Sequence, residues 1–580
     1  MKWFDDLWLK EGFAEFMAYK TLEKVMPDAG AWKVFYERNK QAAYLTDSTK
    51  GTTPIYQEIA NLSAAKSAYG NIVYRKAPSF LRQAEFYLGE DKFQTAVRSF
   101  LKKHEYANAG WEDLVAEFGT ASGQDLKEWG NVWVKRPGLP IFKTPKVSNI
   151  VDRDGIYLDK NSSSSKSKMV DTYPEIIQKD ITGGDGKWPM KFRLLVRENG
   201  AADDIKEIAF GNGQSSVRIE PDEMRAAIKA LTKSNDKVAS SPLIFPNYQD
   251  YGYGTFLLED QSRDIVLKNI YYEKDDFLRT MMWGSLWDSV RAAELDPKDY
   301  IELVIGNFEP RMMVSELGSR YMDFSEKDEG TIQTLLGRVL TAMNYYVSDA
   351  QRTELAPKVE ALLIDKIQRA ATPGQRITFY RAFLGIASTE RARGVLKQIL
   401  KNGSAPDSKF PLKSKDRFDI VTRLIILGDP EAPKLLADLE KTETGDDAKR
   451  YAYAAKAGAA TAENKAKYWN DFLNNKDISE SWIEAAMGPF NSIRHATLTQ
   501  QYLERALAEL PNLKRNRKIF FVNGWLGAFI GGQRDEKSLA IVNKFLADNP
   551  NLDKDLRLKI LENVDLIERA VKIRNKYGRN

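Results

Sequence analysis

The sequence predicts a mainly α, multidomain protein, with a small β-sandwich placed between two helical regions. Three observations carry this. A length of 580 residues holds about three to five domains at roughly 100–200 residues each. Apolar residues recur at helical spacing through residues 1–142 and again through 263–580. Residues 143–262 instead break into short β-rich runs punctuated by glycine turns.

In the first region Asp5 and Asp6 suit a helix N-terminus, and Leu9, Phe13, Phe16, Met17 and Leu22 follow at helical spacing. Phe93, Val97, Phe100 and Leu101 repeat the pattern. Pro27-Asp28-Ala29-Gly30 and Ser48-Thr49-Lys50-Gly51 mark loops, and Arg136-Pro137-Gly138-Leu139-Pro140 marks a domain boundary. In the second region Ser162 to Ser165 reads as a polar loop and Gly183-Gly184-Asp185-Gly186 as a turn. Lys191 to Val196 and Gly254 to Leu258 read as strands, Ser215 to Ile219 as a weaker one, and Glu220 to about Lys233 as an inserted helix. In the third, Leu278, Met281, Met282, Leu286, Trp287 and Val290 form one stripe. Leu362, Leu363 and Ile367 face Phe379, Phe383 and Leu384 across the turn Thr372-Pro373-Gly374. Ile420, Leu424, Ile425 and Ile426 precede Gly428-Asp429-Pro430, and Leu435, Leu436 and Leu439 come after it. The segments have helix-hairpin length but no strict period, which predicts an irregular, HEAT-like α-solenoid.

Composition narrows the function. With 43% hydrophobic and 29% charged residues, the chain has material for buried cores and is not a disordered tail. A net charge of +5 over this length argues against a nucleic-acid partner, and the basic run Lys514 to Lys518 reads as solvated surface. No cysteine is present, which removes disulfides and thiolate metal sites. The two histidines, His104 and His495, are far apart and read as structural. No apolar run nears the roughly 20 residues that span a bilayer. Met1-Lys2-Trp3-Phe4-Asp5-Asp6 places two acids where a signal peptide would be apolar, and the sequence assigns no compartment.

One string stands out: Asp6-Leu7-Trp8-Leu9-Lys10-Glu11-Gly12-Phe13-Ala14-Glu15-Phe16. It closely resembles the third-ligand helix of the M1 family of zinc aminopeptidases, with Lys10 the one departure. Tyr74-Arg75-Lys76-Ala77 with Leu81-Arg82 after it resembles the family's Y-x-K-G segment, with Ala77 in place of glycine. Leu88 to Phe93, His104 to Ala109, Trp133 to Pro140, Trp188-Pro189-Met190 and Asn247 to Asp260 resemble later landmarks of the same family. The resemblance implies three domains: residues 1–142, the C-terminal helical part of a thermolysin-like catalytic domain; 143–262, a β-sandwich with a helical insertion; 263–580, a helical solenoid. It also implies a zinc-dependent aminopeptidase that acts on the N-terminal residues of peptides. Glu11 matches the carboxylate of a His-His-Glu zinc site, a donor Zn²⁺ accepts. Tyr74 matches the phenol that donates to the oxyanion of the tetrahedral intermediate. Read without the resemblance, Glu11 and Glu15 make a wet helix face and Tyr74 a packing residue.

The chain contains neither H-E-x-x-H, which would supply two ligands and the general base, nor the family's G-x-M-E-N. Counted back from Glu11 at the family's spacing, the missing histidines fall before Met1. The sequence therefore reads as the C-terminal two-thirds of an aminopeptidase, inactive alone and expected to pair with a chain carrying the other catalytic half. Trp3, Phe4, Trp8 and Phe13 are then expected to be partly exposed. The competing reading is a non-catalytic solenoid that binds peptides or a partner protein.

Overall fold

The computed structural model of the chain describes residues 3–144, 175–197, 202–219, 242–309, 311–315, 318–322, 325–404 and 411–578. It divides into two compact units, Met1–Ser289 and Val290–Asn580. The polar loop Ser162 to Ser165 and the inserted helix from Glu220 lie outside the described residues.

The first unit opens on the helix Leu7–Val25. Leucine, alanine, glutamate and lysine dominate it, all good helix formers, and it holds no proline. It stops at Met26 because a residue before proline is pushed out of the helical region. Gly30 then takes a left-handed φ of 58°, which glycine adopts without strain. The buried face is Leu7, Trp8, Gly12 and Phe16, a correction to the expected stripe, since Met17 is 39% exposed. Gly12 explains the rotation. A Cβ at that position would lie 2.6 Å from the Ala77 Cβ and 3.2 Å from the Val73 carbonyl oxygen, so the helix crosses its neighbour through its smallest residue. That turns Trp8 inward, edge-on to Phe80 at 5.6 Å. Trp8 is thus wholly buried, whereas Trp3 is 46% exposed and Phe4 and Phe13 are half-buried, as expected.

The aromatic core continues toward the strands. Phe80 meets Trp129 and Trp133, and Trp133 Nε1 donates to the Pro189 carbonyl at 2.9 Å. Among the described residues seven strands come next: β1 (Pro140–Lys143), β2 (Glu175–Asp180), β3 (Met190–Arg197), β4 (Asp204–Phe210), β5 (Ser216–Arg218), β6 (Leu243–Pro246) and β7 (Thr255–Leu257). One sheet has the order β5-β2-β1-β7 and the other β4-β3-β6. Strand β1 runs antiparallel to β2 and parallel to β7, with Phe142 opposite Phe256. The Phe142 ring lies 5.2 Å from Phe192 and from Phe210, both of the other sheet. The two sheets therefore face each other through phenylalanine, as a small sandwich.

Two buried lysines tie the helices to these strands. Each ends a five-residue π-helical segment, Tyr36–Lys40 and Ile72–Lys76. Lys40 Nζ donates to Asp250 Oδ1 at 3.0 Å and to the Asp250 and Gly252 carbonyls. Lys76 Nζ lies 2.8 Å from Asp47 Oδ2 and donates to the Gly138 carbonyl at 2.8 Å, inside the predicted boundary segment. Asp47 also accepts from Thr52 Oγ1, Gly138 N and the Tyr253 hydroxyl. Burial holds the Lys40 ammonium down to about 8 and raises Asp250. Asn247, Gln249 and Asp250 all take a φ near +60°, each costing on the order of 1 kcal/mol or more. The carbonyls they turn inward meet cations: Arg82 takes that of Gln249 at 2.8 Å, and Lys40 that of Asp250.

Among its described residues the second unit is helical, apart from one hairpin that the apolar pattern of the sequence runs through as helix: β8 (Arg311–Ser315) paired antiparallel with β9 (Gly318–Met322). Reciprocal capping by Ser348 with Gln351, and by Thr372 with Gln375, starts the helices Asp349–Arg369 and Pro373–Ile386. Helix Ser414–Ile426 packs on Asp446–Ala457, which packs on Glu480–Phe490, then Ile519–Gly531, then Lys554–Tyr577. Contact between next-but-one helices is the two-layer habit of a solenoid. Trp469, Trp525 and Phe529 centre the core of its C-terminal part, with Trp525 and Phe529 rings 4.3 Å apart. Lys514, read as solvated, is held by Asp553 at 2.5 Å and Asp555 at 3.0 Å. No helix among the described residues is long and apolar enough to cross a membrane.

Candidate active-site face

Two segments distant in sequence meet at the crossing that Gly12 permits. Glu11 precedes Gly12 on the first helix, and Tyr74 is next to Val73 in the π-helical segment Ile72–Lys76. The same close approach that puts position 12 against Ala77 and the Val73 carbonyl sets Glu11 beside Tyr74. The Glu11 carboxylate lies close enough for its charge to act on the Tyr74 hydroxyl. Burial, and then the charge of Glu11, push the phenol up to about 12. At neutral pH it is therefore a protonated donor. π-Helical turns inside α-helices are frequent at functional sites.

The neighbours shape the face without closing it. The Glu11 side chain is 18% exposed, and Lys10 Nζ lies 3.4 Å from its Oε1. Lys10 is largely solvated, and such a pair contributes about 0–1 kcal/mol. Tyr69 tilts against the Tyr74 ring at 5.9 Å. One helical turn beyond Glu11, the charge of Glu15 raises both Tyr74 and, behind burial, Tyr19. The arrangement offers a carboxylate oxygen and a phenol donor side by side, which suits binding a cation and donating to a developing negative charge.

The other residues singled out by sequence lie elsewhere. His104 caps the C-terminus of the helix Glu90–Lys103, its ring 5.2 Å from Phe100. His495 belongs to the second unit, where its Nε2 sits 2.9 Å from the Ile426 carbonyl oxygen and burial lowers its pKa. Among the described residues no group of three or more His, Asp or Glu could hold a metal ion. The residues described therefore do not by themselves make a zinc site, and the cation beside Glu11 is Lys10. Sequence reasoning assigns no role to Gly12 or Lys76. A glycine inside a strong helix pattern is the available signal for the first; the second is visible only as the lysine of Y-x-K.

Residues 1–133, which hold Glu11 and Tyr74, match the peptidase family M1 domain. Residues 243–569 match the ERAP1-like C-terminal domain. Aminopeptidase N of Streptomyces lividans is 25% identical over 578 residues, 99% of this chain and 63% of that protein. Tricorn protease-interacting factor F2 of Thermoplasma acidophilum is 25% identical over 358 residues, 61% of this chain and 40% of that protein. Aminopeptidase M1-D of Oryza sativa subsp. japonica is 35% identical over 166 residues, 28% of this chain and 19% of that protein. The chain thus spans less than two-thirds of the length of each of these relatives. With the M1 domain over the Glu11–Tyr74 crossing and the ERAP1-like domain over the helical second unit, the chain belongs to the M1 aminopeptidase family.

Proposed function

We propose that this chain contributes the Glu11–Tyr74 face of a zinc aminopeptidase site that removes N-terminal residues from peptides. The crossing at Gly12 that brings Glu11 beside Tyr74 is the observation that supports the reading most directly. In it, Glu11 is one of three protein ligands to zinc. The H-E-x-x-H residues come from a separate chain or from sequence continuous with this one. Tyr74, protonated at working pH, donates to the oxyanion that forms at the scissile carbonyl. Within this reading the family division is kept, with residues 1–142 as catalytic part, 143–262 as sandwich and 263–580 as a HEAT-like solenoid.

The test uses fluorogenic aminoacyl substrates. The chain alone is expected to release no aminoacyl group in a metal-dependent way, and joining it to an M1 segment that carries H-E-x-x-H is expected to restore release. In that assembled enzyme Tyr74→Phe keeps the zinc while kcat falls by about 10²–10³. An unchanged kcat would assign Tyr74 to packing alone.

A further inference from the structure

The second unit gathers more positive charge in one place than it neutralises. Asp349, Arg352 and Glu360 share one face of the helix Asp349–Arg369, by the 3.6-residue turn. Arg352 donates to Asp349 Oδ1 at 2.7 Å and to the Met343 carbonyl at 2.5 Å. Arg534 donates to the same Asp349 oxygen at 2.9 Å and to the Asn344 carbonyl at 2.6 Å. Glu360 is already occupied, accepting from Ser388 N and Oγ and from Thr389 N and Oγ1. Arg423 Nε donates to the adjoining Ala387 carbonyl at 2.9 Å, which sets this arginine beside the Glu360 cluster.

Arg494 enters this group from the short turn Ile493–His495. His495, bonded to the Ile426 carbonyl, pins that turn to the end of the helix that carries Arg423. Arg494 is exposed. Among the described residues its guanidinium has no hydrogen-bond or ion-pair partner. Yet burial is the largest influence on it, with repulsion from Arg352 next and then attraction to Glu360 and Asp349. The same influences act on its neighbours. Burial and then Arg494 lower Arg423 to about 9; burial and then Arg352 lower Arg534 to about 10.

Guanidinium is the fork that matches carboxylate and phosphate oxygens in pairs. Arg352 and Arg534 meet on Asp349, while Arg423 and Arg494 adjoin Glu360, whose oxygens are taken. We propose that Arg494, with Arg352, Arg423 and Arg534 around it, forms a binding site for a small dianionic oxyanion, a phosphate or a dicarboxylate. Mutual repulsion of the arginines is relieved when the anion binds, so occupancy stabilises the folded chain.

The experiment is thermal unfolding of the whole chain in inorganic phosphate, in succinate and in chloride matched for ionic strength. At saturation, phosphate or succinate is expected to raise Tm by about 2–4 °C over chloride, and the better of the two identifies the oxyanion. Arg494→Gln is expected to lose that rise and to weaken binding at least about tenfold by titration calorimetry, while Arg494→Lys keeps part of it. Because Arg494 is exposed, these variants leave the fold in place. An equal effect of chloride would show a general salt response and overturn the proposal, as would an Arg494→Gln protein that responds like the parent.

Discussion

The two units bury lysine in different ways. In the first, Lys76 lies against Asp47 and Lys40 against Asp250, so each buried ammonium meets a buried carboxylate. In the second, Lys465 is wholly buried and, among the described residues, donates only to the Ala457 and Phe490 carbonyls, at 3.0 and 2.8 Å. Burial alone brings it down to about 8. The first solution joins two structural layers and fails badly if half of it is removed. The second places the ammonium against backbone carbonyls, with no carboxylate partner among the described residues.

The largest expected effect separates the two cases directly. Lys76→Met leaves Asp47 buried without its cation, which costs about 3–5 kcal/mol. Hydrogen exchange of peptides from the first unit in rising denaturant should show the loss there. A variant as stable as the parent would mean that Thr52, Gly138 and Tyr253 satisfy Asp47 unaided.

Lys465 supplies the second contrast. Its folded pKa of about 8 lies below the ordinary 10.5, so between those values the unfolded chain binds more protons. Stability of the second unit should therefore rise from about pH 8 to 10.5, by on the order of 2–3 kcal/mol. Lys465→Met should flatten that rise, whereas a profile identical to the parent's would assign it to other groups.

Asp6 gives the smallest and opposite slope, in the first unit. Burial raises its carboxyl to about 6, against the pull of the Trp111 amide. Between about pH 4 and 6 the folded state binds the extra proton, so stability falls as pH rises through that window, by about 2 kcal/mol. Asp6→Asn keeps an oxygen for the amide and should remove the slope. If the slope survives in the variant, another buried acid is its source.

Distance along the chain decides which features are legible in the sequence. Glu11 and Tyr74 are legible because motif spacing carries them, and the helices because their apolar residues repeat locally. Phe192 and Phe256 fall within readable strands for the same reason. The rotation of the first helix is hidden, because Gly12 faces inward only through contact with Ala77. The burial of Lys40, Lys76 and Lys465 is not legible, since their partners lie far along the chain or are backbone carbonyls. The β8–β9 hairpin escapes notice because its strands are five residues each, too short for alternation to stand out among helices. Arg494 gives no signal at all: its surroundings come from the helices Asp349–Arg369 and Ser414–Ile426 and from the loop that carries Arg534.

The burial of Lys40 and Lys76 has a consequence for chemical reactivity. Both ammonium groups are enclosed, so an amine-directed reagent meets them only when the helices part from the strands. Exposed lysines such as Lys10 react at once and set the baseline. The delay before Lys40 and Lys76 are modified is then a clock for opening of the first unit. Modification of either one blocks re-entry, because an acylated amine has no charge to return to its carboxylate. A reagent that labels them therefore records each opening as a permanent chemical mark.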